Sequence, residues 1–545
     1  MTGLALESLG GPAKRADSSS TRIIIIALGA VLCLQLGLAF TKSINWDEFF
    51  HYSLIHAYWR GEDGVGILQN PFVVLYGWVP ALAGDTIDHI RLIRALIMPF
   101  EMLLVGAVIV ASTKFTDLKT ALLCGLAYVT AGYAFTQGLA LRADVISASL
   151  LMSALAIGFH RKLSVITLGL IGGLTLLAFV ATIKAVLYLP AFLALAVLRW
   201  DELKRFFLPL VLLAIASIAA LSLLAPDTLA MLSAKLAGAA ERMFGGGLVP
   251  QHMHWMRQSA MASIFTVMLI GFAFWQMKAK SASKPVLALL ALPALWPVIY
   301  FNAYPYFFAF ILPPVAVALA PVINWAADRY GVATLTTIFS LNAVALFLME
   351  PSKVQANQVE VHELVRSAFP APVTYIDEAG MIGDFPRAVP QFASGWALNS
   401  YLRKGEPLYS QAIMAQPVPL VLANCLTLSN AFSDTPFGER LLPEDEAFLR
   451  ANYIQHAGIV MVAGKRIEAG ETLRGELVAV PGDYRIEDAA ILIDGKWYHA
   501  GSTVTLDRKR YEFANEGEQS ATLRWDTASD PRPSAITFLT LYSGY

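Results

Sequence analysis

Charge is scarce in this 545-residue chain: only 15% of its residues are Asp, Glu, Lys or Arg, while 56% are hydrophobic. Soluble domains run about 25% charged and about 45–50% apolar, so a wholly water-soluble fold is excluded. The few charges nearly cancel, for a formal net charge of −1, which leaves no basic excess for binding nucleic acid. Cysteine is rarer still. Cys33 and Cys124 sit in apolar runs and Cys425 stands alone in the C-terminal part, so no disulfide framework can staple that part. There is no Walker-type phosphate loop and no Gly-x-Ser-x-Gly elbow, which argues against a nucleotide-driven pump and a serine hydrolase. No internal repeat is visible, although transporters are often built from repeats.

Long apolar runs are abundant instead. Runs of spanning length, about 20 residues each, recur near 22–41, 93–112, 119–137, 144–159, 163–181, 185–199, 206–225, 259–277, 285–301, 305–325 and 332–349. They predict an all-α membrane bundle of about eleven transmembrane helices over 22–350. Residues 1–21 are small and polar and read as a disordered cytoplasmic tail. Lys14, Arg15 and Arg22 precede the first run, and Thr41-Lys42-Ser43 follows it without a small-residue cleavage site, so that run reads as an uncleaved anchor. Placing the N-terminus in the cytoplasm puts Lys114, Lys119, His160-Arg161-Lys162, Arg199 to Arg205, Lys278, Lys280, Lys284 and Arg329 on the inner side, as the positive-inside rule requires. An odd number of spans then carries everything after about Glu350 to the outer face, the periplasm of a bacterial inner membrane.

Beyond residue 350 the hydrophobic period changes. Strand-like runs at Val373–Ile376, Val418–Leu422 and Gly458–Val462 alternate with helical stretches such as Glu444 to Asn452. This predicts an α/β domain over 351–474, with Pro419 confining the middle strand to an edge. From 475 to 545, short strands with turn signals predict a β-sandwich, and Asp494-Gly495 marks a hairpin.

Two outer segments are longer than simple turns. In the first, about 42–92, the run Asn45-Trp46-Asp47-Glu48-Phe49-Phe50-His51-Tyr52 mixes acids with aromatics. Phe50, Leu54 and Tyr58 keep a helical spacing, so this run and 71–82 are expected to lie in the interface plane. Adjacent residues on a helix point about 100° apart, so Asp47 and Glu48 serve different tasks, whereas Asp47 and His51 share a face. Asp47 can act as a general base on an acceptor hydroxyl or cap the helix. Arg142 and Asp144 stand at the outer entrance of the fourth span, as a local ion pair or as part of a cavity shared with Asp47. Lys184 breaks an apolar stretch on the outer side, where a compact cation suits a lipid phosphate or simply marks the interface. The second outer segment, about 226–259, carries Gly245-Gly246-Gly247, His252, His254, Trp255 and Arg257. Two histidines without a third ligand do not make a metal site, and no metal or other cofactor is expected. Tyr304-Pro305-Tyr306 marks an aromatic helix break that either lines a lipid path or belongs to an interfacial belt.

These outer residues, in this order, resemble the C-type glycosyltransferase superfamily, and within it the branch of protein O-mannosyltransferases and bacterial lipid A aminoarabinose transferases. Asp47-Glu48 in the first outer loop, Arg142-Ala143-Asp144 in the second, Lys184, and Tyr304-Pro305-Tyr306-Phe307 with Pro313-Pro314 carry the resemblance, which covers about 1–350. It implies a sugar donor linked to a polyprenyl phosphate, a lipid or glycan acceptor and a metal-independent inverting transfer. It assigns Asp47 as catalytic base, Glu48 as its supporting neighbour and Asp144 as the second-loop acid. Arg142 and Lys184 become phosphate contacts, with His51, Tyr304 and Tyr306 beside the substrates. The eukaryotic mannosyltransferases' aromatic and arginine-rich details are not evident, which weakens the case for a protein acceptor. Two other classes compete. A polytopic transporter would also carry intramembrane charges, and a polymerase or ligase of surface glycans would join whole chains rather than one sugar.

Overall fold

The computed structural model describes residues 18–62, 65, 69–224, 265–278, 281, 283–300, 303–389, 395–438 and 440–542. The tail before Ser18, the Gly245–Gly247 and His252–Arg257 motifs and the start of the run at 259–277 lie outside them. The described chain is mostly helical up to Ala368 and carries its strands after it.

Ten α-helices run between Ser18 and Leu224 among the described residues. They are α1 (Ser18–Thr41), α2 (Trp46–Trp59), α3 (Phe72–Leu75), α4 (Thr86–Ser112), α5 (Leu118–Val129), α6 (Gly132–Gln137), α7 (Ala143–His160), α8 (Val165–Ala181), α9 (Leu189–Leu198) and α10 (Trp200–Leu224). Among the described residues, four helices are long and apolar enough to cross a membrane, and two further bent pairs bring the number to six. Shorter apolar helices such as α5 and α8 accompany them. Eleven separate spans are therefore not counted out; several expected spans are short or broken. The apolar run near 185–199 is broken because Thr182 leaves the helical region and residues Ile183–Tyr188 form a 3-10 turn before α9. Apolar side chains cover the outside of the bundle. On α8, Val165 and Ile166 are 76% and 77% exposed, which suits hydrocarbon rather than water as the surrounding solvent.

As expected, the first outer run forms a helix, α2, whose 14 residues are not among those long and apolar enough to cross a membrane. Its N-cap is Asn45, not Asp47: the Asn45 side chain accepts from Asp47 N at 3.0 Å, and Glu48 accepts from Asn45 N at 3.1 Å. This capping box uses Glu48 for the cap and leaves the Asp47 carboxylate for other partners. The stretch at 71–82 forms only α3 and a 3-10 turn at Val79–Ala81.

The strands after residue 370 form two sheets. The larger has the order β1-β2-β4-β11-β6-β9, with β3 also paired to β4, and the smaller runs β5-β10-β7-β8. The strands are β1 (Tyr375–Ile376), β2 (Leu420–Leu422), β3 (Tyr453–Ala457), β4 (Val460–Ile467), β5 (Thr472–Leu477), β6 (Gly482–Glu487), β7 (Ile491–Ile493), β8 (Lys496–Tyr498), β9 (Thr503–Leu506), β10 (Arg510–Ala514) and β11 (Ala521–Trp525). The larger sheet thus draws strands from both sides of residue 475. β2 is an inner strand rather than an edge, parallel to β1 and antiparallel to β4. Pro419 is tolerated because it precedes the strand and offers only its carbonyl, which accepts from Ala463 N at 3.0 Å. Asp494 and Gly495, at φ 46° and 79°, turn β7 into β8, as the dipeptide predicts.

The two halves interlock around α2. The Gln358 side chain bonds the Ile44 backbone both ways, at 2.9 and 2.7 Å. Gly383 N donates to Thr86 Oγ1 at 2.9 Å, and Arg60 reaches the Asp384 carbonyl at 3.2 Å. At Gly383 a Cβ would stand 2.5 Å from the Tyr52 ring, so only glycine lets this loop touch the helix. Replacing Gly383 with valine is expected to destabilise the protein by about 1–3 kcal/mol, the usual cost of overpacking. Thermal unfolding in detergent measures this, and an unchanged midpoint would show that the loop and α2 are not closely packed.

Candidate active site

Two ion-pair systems arise from neighbouring residues of α2, which point apart as the helical period requires. The first is buried. Glu48 receives Arg94 Nη2 at 2.5 Å and Nε at 2.8 Å, and also accepts from Leu141 N at 2.8 Å. Arg94 in turn donates to the carbonyls of Lys42 and Ser43, each at 2.9 Å. Both side chains are nearly inaccessible. Burial alone would raise the Glu48 carboxyl, but Arg94 and the backbone N–H groups of Leu141 and Asn45 hold it below the usual range. Glu48 therefore lies on the side of α2 away from Asp47 and joins the α1–α2 junction, α4 and the approach to α7. It supports Asp47 by fixing the helix that carries it.

The second system, on the other side of α2, is a largely buried cluster. Arg142 Nη1 pairs with Asp47, and its Nε donates to Asp144 at 3.1 Å. Lys184 Nζ donates to the other Asp144 oxygen at 2.7 Å. The Arg142 guanidinium lies 3.2 Å from the centre of the Tyr306 ring, with Lys184 Nζ at 4.9 Å; both are cation–π distances. Tyr304 stacks on Tyr306 with ring centres 5.9 Å apart. Six of the eight sequence-predicted residues thus meet in one cluster, which holds two carboxylates, two cations and an aromatic floor. Burial outweighs the opposing pull of Arg142 and pushes the Asp47 carboxyl up. Glu48 lies apart in its own network. His51 flanks the cluster, its ring 4.6 Å from that of Phe72. Burial, aided by Arg142, pushes its pKa down to about 3, so the imidazole stays neutral, and among the described residues its Nδ1 has no hydrogen-bond partner.

Two supporting residues escaped sequence reading. Arg94 lies within an apolar run, and a lone cation there is the signal that could have found it. Gln69 gives no such signal. It holds φ at 71°, donates from its backbone to Val180 O at 2.9 Å and from its side chain to Phe179 O at 3.0 Å, and accepts from Ile183 N. It thereby caps the broken end of α8 and fixes the turn that presents Lys184. Among the described residues no three His, Cys, Asp or Glu side chains group as metal ligands.

No family model and no curated protein matches this sequence. Solved structures match its shape. ArnT from Cupriavidus metallidurans bound to undecaprenyl phosphate superposes with a TM-score of 0.53 at 10% identity, over 81% of this chain and 98% of that one. The apo ArnT structure gives 0.51 at 12% identity, over 74% and 93%. The apo oligosaccharyltransferase of Archaeoglobus fulgidus gives 0.52 at 10% identity, over 92% and 94%. The chain shares the fold of these ArnT and oligosaccharyltransferase structures.

Glu48→Ala leaves Arg94 buried without its partner. Breaking such a pair costs about 3–5 kcal/mol, so the variant is expected to unfold well below the wild type in a detergent melt. A loss under about 1 kcal/mol, the scale of a surface pair, would remove Glu48–Arg94 from its structural role.

Proposed function

We propose that this protein is a glycosyltransferase that moves a sugar from a polyprenyl-phosphate donor to an acceptor hydroxyl at the periplasmic face of a bacterial inner membrane. The observation that carries the reading is the cluster of Asp47, Arg142, Asp144 and Lys184 on Tyr306, seated where the first two outer loops meet. The fold shared with ArnT supports the general kind of reaction. ArnT was solved with undecaprenyl phosphate bound, which supports a lipid-linked donor here. The acceptor is a lipid or glycan, and the residues after 350 form the periplasmic portion.

The chemistry follows from charge. Without substrate the four ionised groups sum to zero. A phosphodiester donor brings one negative charge and competes with Asp47 and Asp144 for Arg142 and Lys184. Drawing Arg142 towards the phosphate frees Asp47. The acceptor oxygen then attacks the anomeric carbon from the face opposite the phosphate, its proton passes to Asp47, and the C–O bond to the phosphate breaks with the electron pair leaving on oxygen. The lipid phosphate now carries a second negative charge, and the cluster, with Asp47 neutral, carries one positive charge beside it. Charge is conserved, and the cations meet the phosphate where its charge grows, which is the arrangement that lowers a barrier. Asp144 holds Arg142 and Lys184 in position, and the neutral His51 adds no competing cation.

Asp47→Asn removes the base and keeps the shape. Transfer is expected to fall by about 10²–10⁴-fold, the usual worth of general-base catalysis, while binding of the donor changes little. Radiolabelled donor consumption alongside donor binding measures both, and wild-type turnover in this variant would exclude Asp47 as the base. The raised Asp47 carboxyl also sets a direction in pH. Transfer needs the carboxylate, so the rate should fall on acidification, at a midpoint above the ordinary aspartate value of about 3.9. A pH–rate profile flat down to that value contradicts the assignment.

A further inference from the structure

A second polar site lies in the C-terminal region. The end of β3 (Gln455, His456 and Ala457), Gly458 after it and the segment Pro531 to Ala535 line an open cleft of about 630 Å³. That volume is in the range of small-molecule sites, about 300–1,000 Å³, and far exceeds what one ion fills.

The walls are built around His456. Between Gln455 and Ala457 the pairing with β4 shifts register, from Met461 to Val460, so His456 is the extra residue of a β-bulge. Bulges re-aim side chains and gather near functional sites. Here the bulge turns His456 inward, to 3% exposure, and among the described residues its Nδ1 has no hydrogen-bond partner. The bulge is clamped from both sides: Arg524 Nη1 donates to Gln455 O at 2.8 Å, and Arg532 N donates to His456 O at 3.3 Å. Gly458, at φ 53°, allows the close approach of the second wall, since a Cβ there would meet Ile536 O at 3.0 Å. Pro531 and Pro533 stiffen that wall on either side of Arg532.

The charges around the cleft are unevenly paired. Burial first, then Arg524, Arg485 and Arg532, push the His456 imidazole down to about 4, so it stands neutral among three guanidinium groups. Arg524 is matched by Glu487 at 2.8 Å and Arg485 by Asp530 at 2.9 Å. Arg532 is exposed, and no hydrogen bond or ion pair engages its guanidinium among the described residues. Counting Glu360, whose Oε1 accepts from the lining Ser534 Oγ at 3.1 Å, three carboxylates face three cations, and Arg532 is the cation left without a direct partner at the rim among the described residues. The apolar faces of Pro531, Pro533, Ala457 and Ala535 suit the C–H faces of a sugar ring.

We propose that this cleft binds a saccharide carrying an oxyanion, a carboxylate or a phosphate, with Arg532 as the anion contact and His456 as a neutral hydrogen-bonding group at its base. Binding here is separate from the transfer chemistry and does not require that reading to hold. The test uses the full chain in detergent with ¹³C-labelled histidine rings, the His456 signal being assigned with His456→Asn. The probes are trigalacturonate, glucose 6-phosphate, inorganic phosphate and neutral maltotriose. Saturable movement of the His456 signal is expected with one of the two anionic sugars, at least tenfold tighter than with either control, and whichever sugar binds identifies the oxyanion. Arg532→Ala, a change at an exposed rim position, should weaken that binding at least tenfold. The proposal is overturned if neither anionic sugar saturates, if maltotriose or inorganic phosphate binds as well, or if Arg532→Ala binds like the wild type.

Discussion

Glu48 and Arg94 form the contact on which the rest of the outer face depends. A carboxylate and a guanidinium with almost no access to solvent lose several kcal/mol of hydration each, and the pair is tolerable only when its remaining donors and acceptors are satisfied. Here they are. Arg94 spends its other N–H groups on the carbonyls of Lys42 and Ser43, and Glu48 accepts from Asn45 and Leu141 as well. Three stretches of the chain are thereby drawn to one point: the α1–α2 junction at residues 42–48, α4, and the turn just before α7. Asp47 follows from this arrangement. With Glu48 turned into the bundle, the helical period turns Asp47 to the other side of α2, to meet Arg142 just after Leu141.

The second cluster then obeys a different rule. Its acids and cations pair with one another, so the empty site is neutral, and Tyr306 covers the cations from below. Such a cluster is well suited to accept one negative charge and handle one proton. Each part is held by something outside it: Asp47 by the buried pair, Lys184 by Gln69 at the broken end of α8, and α2 by the loop at Gly380 and Gly383. The C-terminal region is therefore more than an appendage to the bundle, because its loop packs against the face of α2 two turns from Asp47.

Much of this was legible in the sequence, and the limits have physical reasons. Asp47, Arg142, Asp144, Lys184 and Tyr306 stood out because charges and paired tyrosines are conspicuous in apolar surroundings, and the structure brings them together. The N-cap was misplaced because Asn45 and Asp47 are both good caps, and only the backbone geometry, with Glu48 reaching back, chooses between them. The inner position of β2 was missed because Pro419 reads as an edge signal, whereas one residue of offset places it outside the ladder. Arg94 was hidden in an apolar run, and Gln69 acts through backbone groups that no residue pattern reveals. Hydropathy registers apolar length and not the breaks at Thr182 and Leu319, so the expected runs and the helices among the described residues do not match one to one.

The most direct test of the central claim is phosphorus NMR on the purified protein, with a panel of polyprenyl-phosphate sugars and a membrane extract as acceptor source. If the outer cluster is a transfer site, one donor's phosphodiester signal is replaced by that of the polyprenyl monophosphate, only in the presence of acceptor and of the intact cluster. If every phosphodiester persists while the protein remains folded, the cluster does not catalyse sugar transfer, and a transport role for this fold would take precedence.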